Sequence, residues 1–188
     1  MKITTILGSP RKKGNTATVL GLFEELAASK HQVERINITD YTVNGCLGCD
    51  VCFKTIDEPG CVQKDDAPAI FKRLMATDLI VYATPLYCWS FSAQLKALID
   101  RHYSLVKWKD GKVQNALLEG KYGSLLVTCA DPIKNNADLI PIEFERQMKY
   151  ARCKVVGKYI VPNCTKPRLL GDKGKAMAQE MFDDLNDF

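Results

Sequence analysis

The fold is indicated first by residues 2–16, which read KITTILGSPRKKGNT. The first six of these residues are mostly apolar or β-branched, as in a short buried strand. The polar stretch that follows leads into a helical stripe formed by Val19, Leu22, Phe23 and Leu26. A strand, a short loop and a helix in this order predict the first unit of a parallel α/β sheet.

The same alternation continues along the chain, with apolar runs separated by amphipathic stretches. Strands are predicted at 2–7, 32–38, 79–83, 123–129 and 154–161. Helix patterns follow each of them, the last running from about residue 172 to the carboxyl terminus. This alternation predicts a doubly wound, five-stranded parallel sheet of order 2-1-3-4-5, with helices on both faces and a ligand beyond strands one and three.

Two segments do not follow the alternation. One is a cysteine-rich stretch at about 39–64, and the other is a polar stretch at 106–121 that contains an Asp-Gly turn. We expect both to be loops inserted into one domain that spans residues 1–188, because no repeat or linker divides the chain.

Composition narrows the class of protein. The chain is 46% hydrophobic and 26% charged, with 26 basic and 22 acidic residues and a net charge of +4, as in a soluble globular domain. No basic stripe suggests nucleic-acid binding, and no apolar run approaches the roughly 20 residues of a membrane span.

The first residues do not form a signal peptide, so a cytoplasmic location is expected. In that compartment the eight cysteines should not form structural disulfides.

The loop at residues 8–16 has the features of an anion site. A helix amino terminus offers unpaired N–H groups, and its dipole favours an anion by about 0.3–1 kcal/mol. Ser9, Asn15 and Thr16 supply short polar side chains, Arg11 can pair with phosphate, and Gly14 lets backbone approach closely. The Gly-x5-Gly spacing excludes a Walker A loop, and the dinucleotide pattern Gly-x-Gly-x-x-Gly is absent. A plain turn and helix cap is the alternative.

With this loop the chain resembles the NAD(P)H-dependent FMN reductase family, in particular its iron–sulfur flavoprotein-like branch. The likeness also covers 46–49 (CLGC), 61–66 (CVQKDD), 84–87 (TPLY) and 92–101 (SAQLKALIDR), and so nearly the whole chain. The resemblance implies a flavodoxin-like fold with FMN bound through its phosphate at the first loop.

The third predicted strand is followed by the sequence TPLYCWS, residues 84–90. Ligands bind beyond the carboxyl ends of strands in such sheets. The resemblance implies that Pro85, Leu86, Tyr87, Cys88 and Trp89 cradle the isoalloxazine ring. Alternatively, the two aromatic residues belong to the core or to an interface.

The fourth predicted strand ends at a second candidate flavin contact, Cys129 and Ala130. The family usually has glycine where this chain has Ala130, which is a departure from the pattern. Cys88 and Cys129 both fall in loops that the resemblance places beside the flavin.

Four cysteines, Cys46, Cys49, Cys52 and Cys61, have the spacing C-x2-C-x2-C-x8-C. Successive three-residue spacing suits a cubane cluster, because each thiolate can bind a different iron. Structural zinc more often uses two separated C-x2-C pairs. The resemblance implies one 4Fe–4S cluster, although the last spacing is longer than the family pattern. A cluster, free thiols and zinc all stay open as interpretations.

These features predict an FMN-binding oxidoreductase. Electrons would pass from NAD(P)H or a redox partner to a quinone, a flavin, a similar small acceptor or an electron-carrier protein. The resemblance also implies a homodimer or homotetramer. The alternatives are a non-enzymatic electron carrier like flavodoxin, and a flavin-free sensor that uses the cysteines.

Overall fold

The structure, a computed structural model, describes residues 1–166 and 169–187. Five of its strands form one parallel sheet of order β2-β1-β3-β6-β7. Their bounds are Lys2–Leu7 (β1), Gln32–Asn37 (β2), Leu79–Pro85 (β3), Tyr122–Thr128 (β6) and Lys154–Val161 (β7). The predicted fold class is confirmed, since these strands are the five that the sequence indicates, in the predicted order.

Five α-helices cover the two faces of the sheet. They are Asn15–Ala27 (α1), Ala67–Met75 (α2), Ala93–Arg101 (α3), Ile140–Tyr150 (α4) and Gly171–Asp183 (α5). α1 and α5 pack on one face around Phe23 and Met181. α2, α3 and α4 pack on the other face, where Phe71, Leu98 and Phe144 are buried. The central strands are apolar on both sides because helices cover both of their faces.

The segment at 106–121 is not the predicted loop. Val106–Lys109 (β4) and Lys112–Ala116 (β5) pair as an antiparallel hairpin, separate from the main sheet. The turn residues Asp110 and Gly111 both have positive φ, 51° and 71°. Asp-Gly is a favoured pair for such a two-residue hairpin turn, so the turn that was noted in the sequence also predicts the two strands.

The cysteine-rich segment contains no strand or α-helix among its residues, all of which the structure describes. Its regular parts are single 3-10 turns at Ile38–Asp40 and Val51–Lys54. None of the described helices is both long and apolar enough to cross a membrane.

Hydrogen bonds tie three elements together at the carboxyl edge of the sheet. The Gly8 N–H donates to the Ala83 carbonyl at 2.7 Å, which joins the end of β1 to β3. The Ser92 hydroxyl donates to the Gly8 carbonyl at 2.5 Å and also caps α3. A Cβ atom on Gly8 would lie 2.8 Å from Leu95, so glycine is needed for this close approach of α3.

We expect Phe144→Ala to lower the free energy of unfolding by about 3–5 kcal/mol, the usual cost of removing a buried aromatic ring. The Phe144 side chain is fully buried, and its ring contacts Tyr82 edge-on at a centroid distance of 5.7 Å. Urea denaturation followed by circular dichroism measures the change. Lys149→Ala, at an exposed position of the same helix, is the control and should change it by no more than about 0.5 kcal/mol. Equal effects of the two substitutions would contradict this packing.

Candidate functional site

A cavity of about 700 Å³ opens at the carboxyl edge of the sheet, beside the parallel neighbours β1 and β3, where the strand order reverses its direction. This size is within the usual range for a small-molecule site. The cavity is lined by residues from four loops, namely Ser9, Pro10, Arg11, Lys12, Lys13, Gly14, Asn15, Thr16, Pro85, Leu86, Tyr87, Thr128, Cys129, Ala130, Cys164 and Thr165. Ten of the twelve residues predicted to contact a cofactor are among them.

The first loop is a compact turn at the amino terminus of α1. The Ser9 hydroxyl accepts the Arg11 N–H at 3.1 Å, and the Gly14 N–H donates to the Arg11 carbonyl at 3.0 Å. Gly14 is the N-cap of α1, and no side chain caps the helix there. The first N–H groups of a helix have no partner within it, so those of α1 are available to an anion in the cavity.

Two predicted polar side chains bond the protein instead of pointing freely into the cavity. The buried Thr16 hydroxyl lies 2.7 Å from that of Thr128, which links α1 to β6. The Asn15 amide nitrogen donates to the Cys164 carbonyl, while its Oδ1 is buried without a partner. A contact between Thr16 and an anion would therefore use its N–H group.

The mouth of the cavity is positively charged. Arg11, Lys12 and Lys13 are all exposed there. Lys12 pairs with Asp40, and its hydrogen bond lowers the pKa of that carboxyl. Within residues 1–166 and 169–187, Arg11 and Lys13 have no ion-pair partner. Two uncompensated cations beside a helix amino terminus favour an anionic group.

The predicted shelf divides between two adjoining cavities. Pro85, Leu86 and Tyr87 line the first one. Cys88 and Trp89 line a neighbouring cavity of about 540 Å³, which shares Leu86 and Ala130 with the first. The shelf residues therefore form a wall between two spaces rather than one surface.

A tight turn holds the exposed Trp89 in place. Tyr87 and Ser90 exchange two backbone hydrogen bonds, at 3.0 and 3.1 Å. The central residues Cys88 and Trp89 have φ values of 47° and 63°, in a region that favours glycine or asparagine. Such conformations cost on the order of 1–3 kcal/mol each and are concentrated at functional sites. The Ser90 hydroxyl donates to Glu143 at 2.9 Å and anchors the turn to α4.

Cys129 and Ala130, two of the predicted flavin contacts, line the cavity, and so do Cys164 and Thr165, which the sequence did not indicate. Cys129 and Cys164 are joined through the backbone, since the Cys164 N–H donates to the Cys129 carbonyl at 3.0 Å. Burial raises the pKa of Cys129 to about 11, and also raises that of Cys164, so both are neutral thiols at pH 7. Cys164 and Thr165 follow the edge strand β7, and the carboxyl ends of parallel strands lie at the same edge of a sheet. The end of the fifth predicted strand could therefore have indicated that these two residues lie at the cavity.

The four cysteines of the inserted loop line one small cavity. Cys46, Cys49, Cys52 and Cys61 are all free thiols, and all four border it together with Arg101. In the described part of the chain, no three or more His, Cys, Asp or Glu side chains are placed to hold a metal ion. The thiols therefore surround a common space without converging on one point.

A buried ion pair anchors this loop. Arg101, the last residue of α3, donates to both carboxylate oxygens of Asp65 at 2.6 and 3.2 Å, and the two side chains are 0% and 1% exposed. The same carboxylate accepts the Asn44 N–H, and Arg101 also donates to the Asn44 carbonyl. Burial opposes ionisation of Asp65, but the hydrogen bond from Arg101 and others keep its pKa below the usual value.

His102 lines a further cavity of about 690 Å³ between α3 and α4. Its ring lies 5.7 Å from the rings of both Phe71 and Tyr82, and neither of its nitrogens has a hydrogen-bond partner within residues 1–166 and 169–187. Burial lowers the pKa of His102 to about 4. Exposed apolar side chains rim the same cavity, including Trp89 and Leu139.

Comparison with known proteins identifies relatives of the chain. The family model described as NADPH-dependent FMN reductase matches residues 1–157. An iron–sulfur flavoprotein of Archaeoglobus fulgidus is 34% identical over 131 residues, which are 69% of this chain and 55% of that protein. An iron–sulfur flavoprotein of Methanosarcina thermophila is 35% identical over 127 residues, 67% of this chain and 62% of that protein. The matches thus span only about half to three-fifths of these relatives.

Solved structures share the fold at low sequence identity. An NAD(P)H:quinone oxidoreductase from Methanothermobacter marburgensis aligns over 98% of both chains with a TM-score of 0.73 and 16% identity. An FMN-dependent NADH-azoreductase from Bacillus anthracis, in complex with FMN, has a TM-score of 0.66 and 14% identity, and the alignment covers 98% of this chain and 99% of that one. These likenesses establish the flavodoxin-like fold.

The burial of His102 predicts an acid-sensitive fold. The unfolded chain takes up a proton near pH 6.5 that the folded protein refuses until about pH 4, so stability falls as the pH falls through this window. The difference between these two pKa values should lower the free energy of unfolding by about 3 kcal/mol at pH 4, relative to pH 7. His102→Phe should remove this loss, and His31→Gln should keep it, in urea denaturation measured from pH 7 to pH 4. Coinciding pH profiles for wild type and His102→Phe would contradict the prediction.

Proposed function

The chain belongs to the NADPH-dependent FMN reductase family, and from this we propose that it is an oxidoreductase with FMN in the cavity of about 700 Å³. One observation carries the proposal. The phosphate-type loop, the end of β3 and the end of β6 border a single space at the carboxyl edge of the sheet. A mononucleotide needs this combination of an anion site and a flat apolar wall at one crevice.

The residues present fit the two ends of FMN. Its phosphate would bind the free N–H groups of α1, with Arg11 and Lys13 adding charge at the mouth. The unpartnered Oδ1 of Asn15 is an acceptor beside the loop, so it would take a hydroxyl of the ribityl chain rather than the phosphate. The isoalloxazine ring would lie on the wall formed by Pro85, Leu86 and Tyr87.

FMN supplies hydride transfer and single-electron transfer when bound. The protein's own residues bind it, orient it and exclude water from one of its faces. We propose that NAD(P)H or a reduced redox partner is the donor, and that a quinone, a flavin or a similar small molecule is the acceptor. The adjoining cavity at Cys88 and Trp89 has room for such a planar ring beside the flavin wall. A pure electron carrier would bind FMN but oxidise NAD(P)H negligibly in steady-state assays.

A second proposal concerns the four-cysteine loop. We propose that Cys46, Cys49, Cys52 and Cys61 bind a 4Fe–4S cluster, which would supply one-electron transfer. Four thiols around one cavity are the donor set that such a cluster uses. The Nε of Arg101, buried on the wall of that cavity without a partner, is a free donor for cluster sulfur. Two relatives matched above carry the name iron–sulfur flavoprotein. Free thiols also suit the reducing cytoplasm, where we place the protein.

We further propose that the protein is a homodimer or homotetramer. Four large apolar side chains are exposed around the cavity between α3 and α4. They are Trp89, Tyr103, Leu139 and Ile142. Exposed apolar groups concentrated at one place favour burial against another protein surface.

The phosphate assignment is tested with Arg11→Ala. Loss of one charge-assisted phosphate contact should weaken FMN binding about tenfold, which is about 1.4 kcal/mol, and should leave riboflavin binding nearly unchanged. Quenching of flavin fluorescence measures both dissociation constants. Arg146→Ala, an exposed arginine at the cavity between α3 and α4, is the control and should affect neither ligand. Equal weakening of FMN and riboflavin by Arg11→Ala would mean that the phosphate lies elsewhere.

The cluster is tested by anaerobic purification, followed by iron, sulfide and zinc assays. We expect about four iron and four sulfide per chain, and less than one of each after all four loop cysteines are changed to serine. Cys129→Ser, at a thiol outside the loop, should leave the iron content unchanged. A flavin spectrum without iron would remove the cluster and keep the FMN proposal. A zinc content of one per chain would replace the cluster with zinc.

A further inference from the structure

Two buried cations lie next to the four-cysteine cavity. Arg101 is on its wall, and Lys107 reaches the same loop from β4. Both side chains are 0% exposed. Buried cations are rare, because removing an ion from water costs several kcal/mol unless a counter-charge is close. The question is therefore which negative charge offsets each of them.

Lys107 is bonded to neutral groups. Its ammonium group donates to the carbonyls of Cys52 and Pro59 at 2.9 and 3.0 Å. In the parts of the chain that the structure describes, no carboxylate is within ion-pair distance of it. Burial lowers the pKa of Lys107, while the nearby sulfur of Cys52, the carboxylate of Glu58 and the sulfur of Cys61 act in the opposite direction. The Lys107 ammonium thus lies beside the thiols with Glu58 near it but not in an ion pair with it.

Arg101 is neutralised by Asp65, but part of its guanidinium is unused. The two terminal nitrogens bond Asp65 and the Asn44 carbonyl. Among the residues that the structure describes, the Nε has no hydrogen-bond partner, although it is buried and Arg101 borders the thiol cavity. An N–H group left without an acceptor in the interior is destabilising, because it has lost its hydrogen bonds to water. A sulfur-bearing anion in the cavity would supply that acceptor.

We propose that Lys107, through its charge, and Arg101, through a hydrogen bond from its Nε, stabilise the negative charge of a cluster bound by the four cysteines, and thereby raise its reduction potential. This inference rests on the proposed cluster. A cluster held by four thiolates is anionic, and reduction adds one electron to it without making or breaking a bond to the protein. A nearby positive charge stabilises the reduced form more than the oxidised form. Charge and hydrogen bonds to sulfur are known determinants of cluster potentials.

A purely structural role for Lys107 is the competing explanation. Its two carbonyl bonds join the 3-10 turn at Val51–Lys54 to the stretch before Cys61. Lys107→Gln separates the two roles, because the amide retains N–H donors for these carbonyls but carries no charge. Lys107→Arg retains both. Lys121→Gln is the matched control. Lys121 also donates to a backbone carbonyl, that of Thr77 at 2.7 Å, but it lies near the opposite edge of the sheet.

The experiment uses the full chain with FMN, reconstituted anaerobically with ferrous iron and sulfide. The reduced cluster is titrated with dithionite and mediators at fixed pH and followed by electron paramagnetic resonance. At the wild-type midpoint, Lys107→Gln should lower the ratio of reduced to oxidised cluster about tenfold, which equals about 59 mV for one electron. In Lys107→Arg and Lys121→Gln, the ratio of reduced to oxidised cluster should stay within about twofold of the wild-type ratio. Arg101→Lys keeps its charge but lacks Nε, and should lower the ratio by less than Lys107→Gln.

The outcomes separate this inference from the proposal beneath it. Wild-type protein that binds no iron and sulfide would overturn both. A wild-type cluster whose potential is the same in Lys107→Gln and Lys121→Gln would overturn this inference alone. An equal fall in Lys107→Gln and Lys107→Arg would assign Lys107 a structural role only. If Lys107→Gln does not fold, Lys107→Met, which also removes the charge, decides, and an unchanged potential in folded Lys107→Met protein overturns the inference.

Discussion

A buried ion pair between Asp65 and Arg101 connects the end of the inserted loop to helix α3. Asp65 accepts N–H groups from Asn44 and Ala67, so one carboxylate bonds the start of the loop and the first residue of α2. Breaking a buried pair by removing one partner typically costs 3–5 kcal/mol, because the remaining charge is left without compensation. This pair therefore holds the start of the four-cysteine loop, while Lys107 holds its later part through the Cys52 and Pro59 carbonyls.

The same helix connects this ion pair to the candidate flavin site. Ser92, at the start of α3, bonds the Gly8 carbonyl, and Arg101, at its end, bonds Asp65. α3 has nine residues, so these two attachments are about 14 Å apart along its axis. A short rigid helix thus determines the separation of the first loop and the cysteine-rich loop. A change in the packing of α3 would disturb both sites together.

Much of this arrangement was predictable because it follows from local patterns. The sheet order, the first loop and most of the cavity wall follow from apolar runs and from the rule that ligands bind beyond strand ends. Other features depend on contacts between residues far apart in the chain. The bonding of Thr16 to Thr128, the position of Cys164 and the burial of Lys107 have no local signature. The separation of Trp89 from the first cavity follows from two positive φ angles that its sequence disfavours.

The environments of the eight cysteines divide them by the chemistry they can perform. Burial raises the pKa of Cys129 and of Cys153 to about 11, so these thiols are protonated and weakly nucleophilic at neutral pH. Cys46 and Cys49 are instead exposed, on a loop that two buried cations contact, Lys107 at the Cys52 carbonyl and Arg101 through Asp65. Burial raises the pKa of Cys52 in that loop, while the charge of Lys107 acts in the opposite direction. The accessible thiols of the inserted loop are therefore the ones that a metal can reach, whereas the thiols in the candidate flavin cavity act as small apolar wall residues.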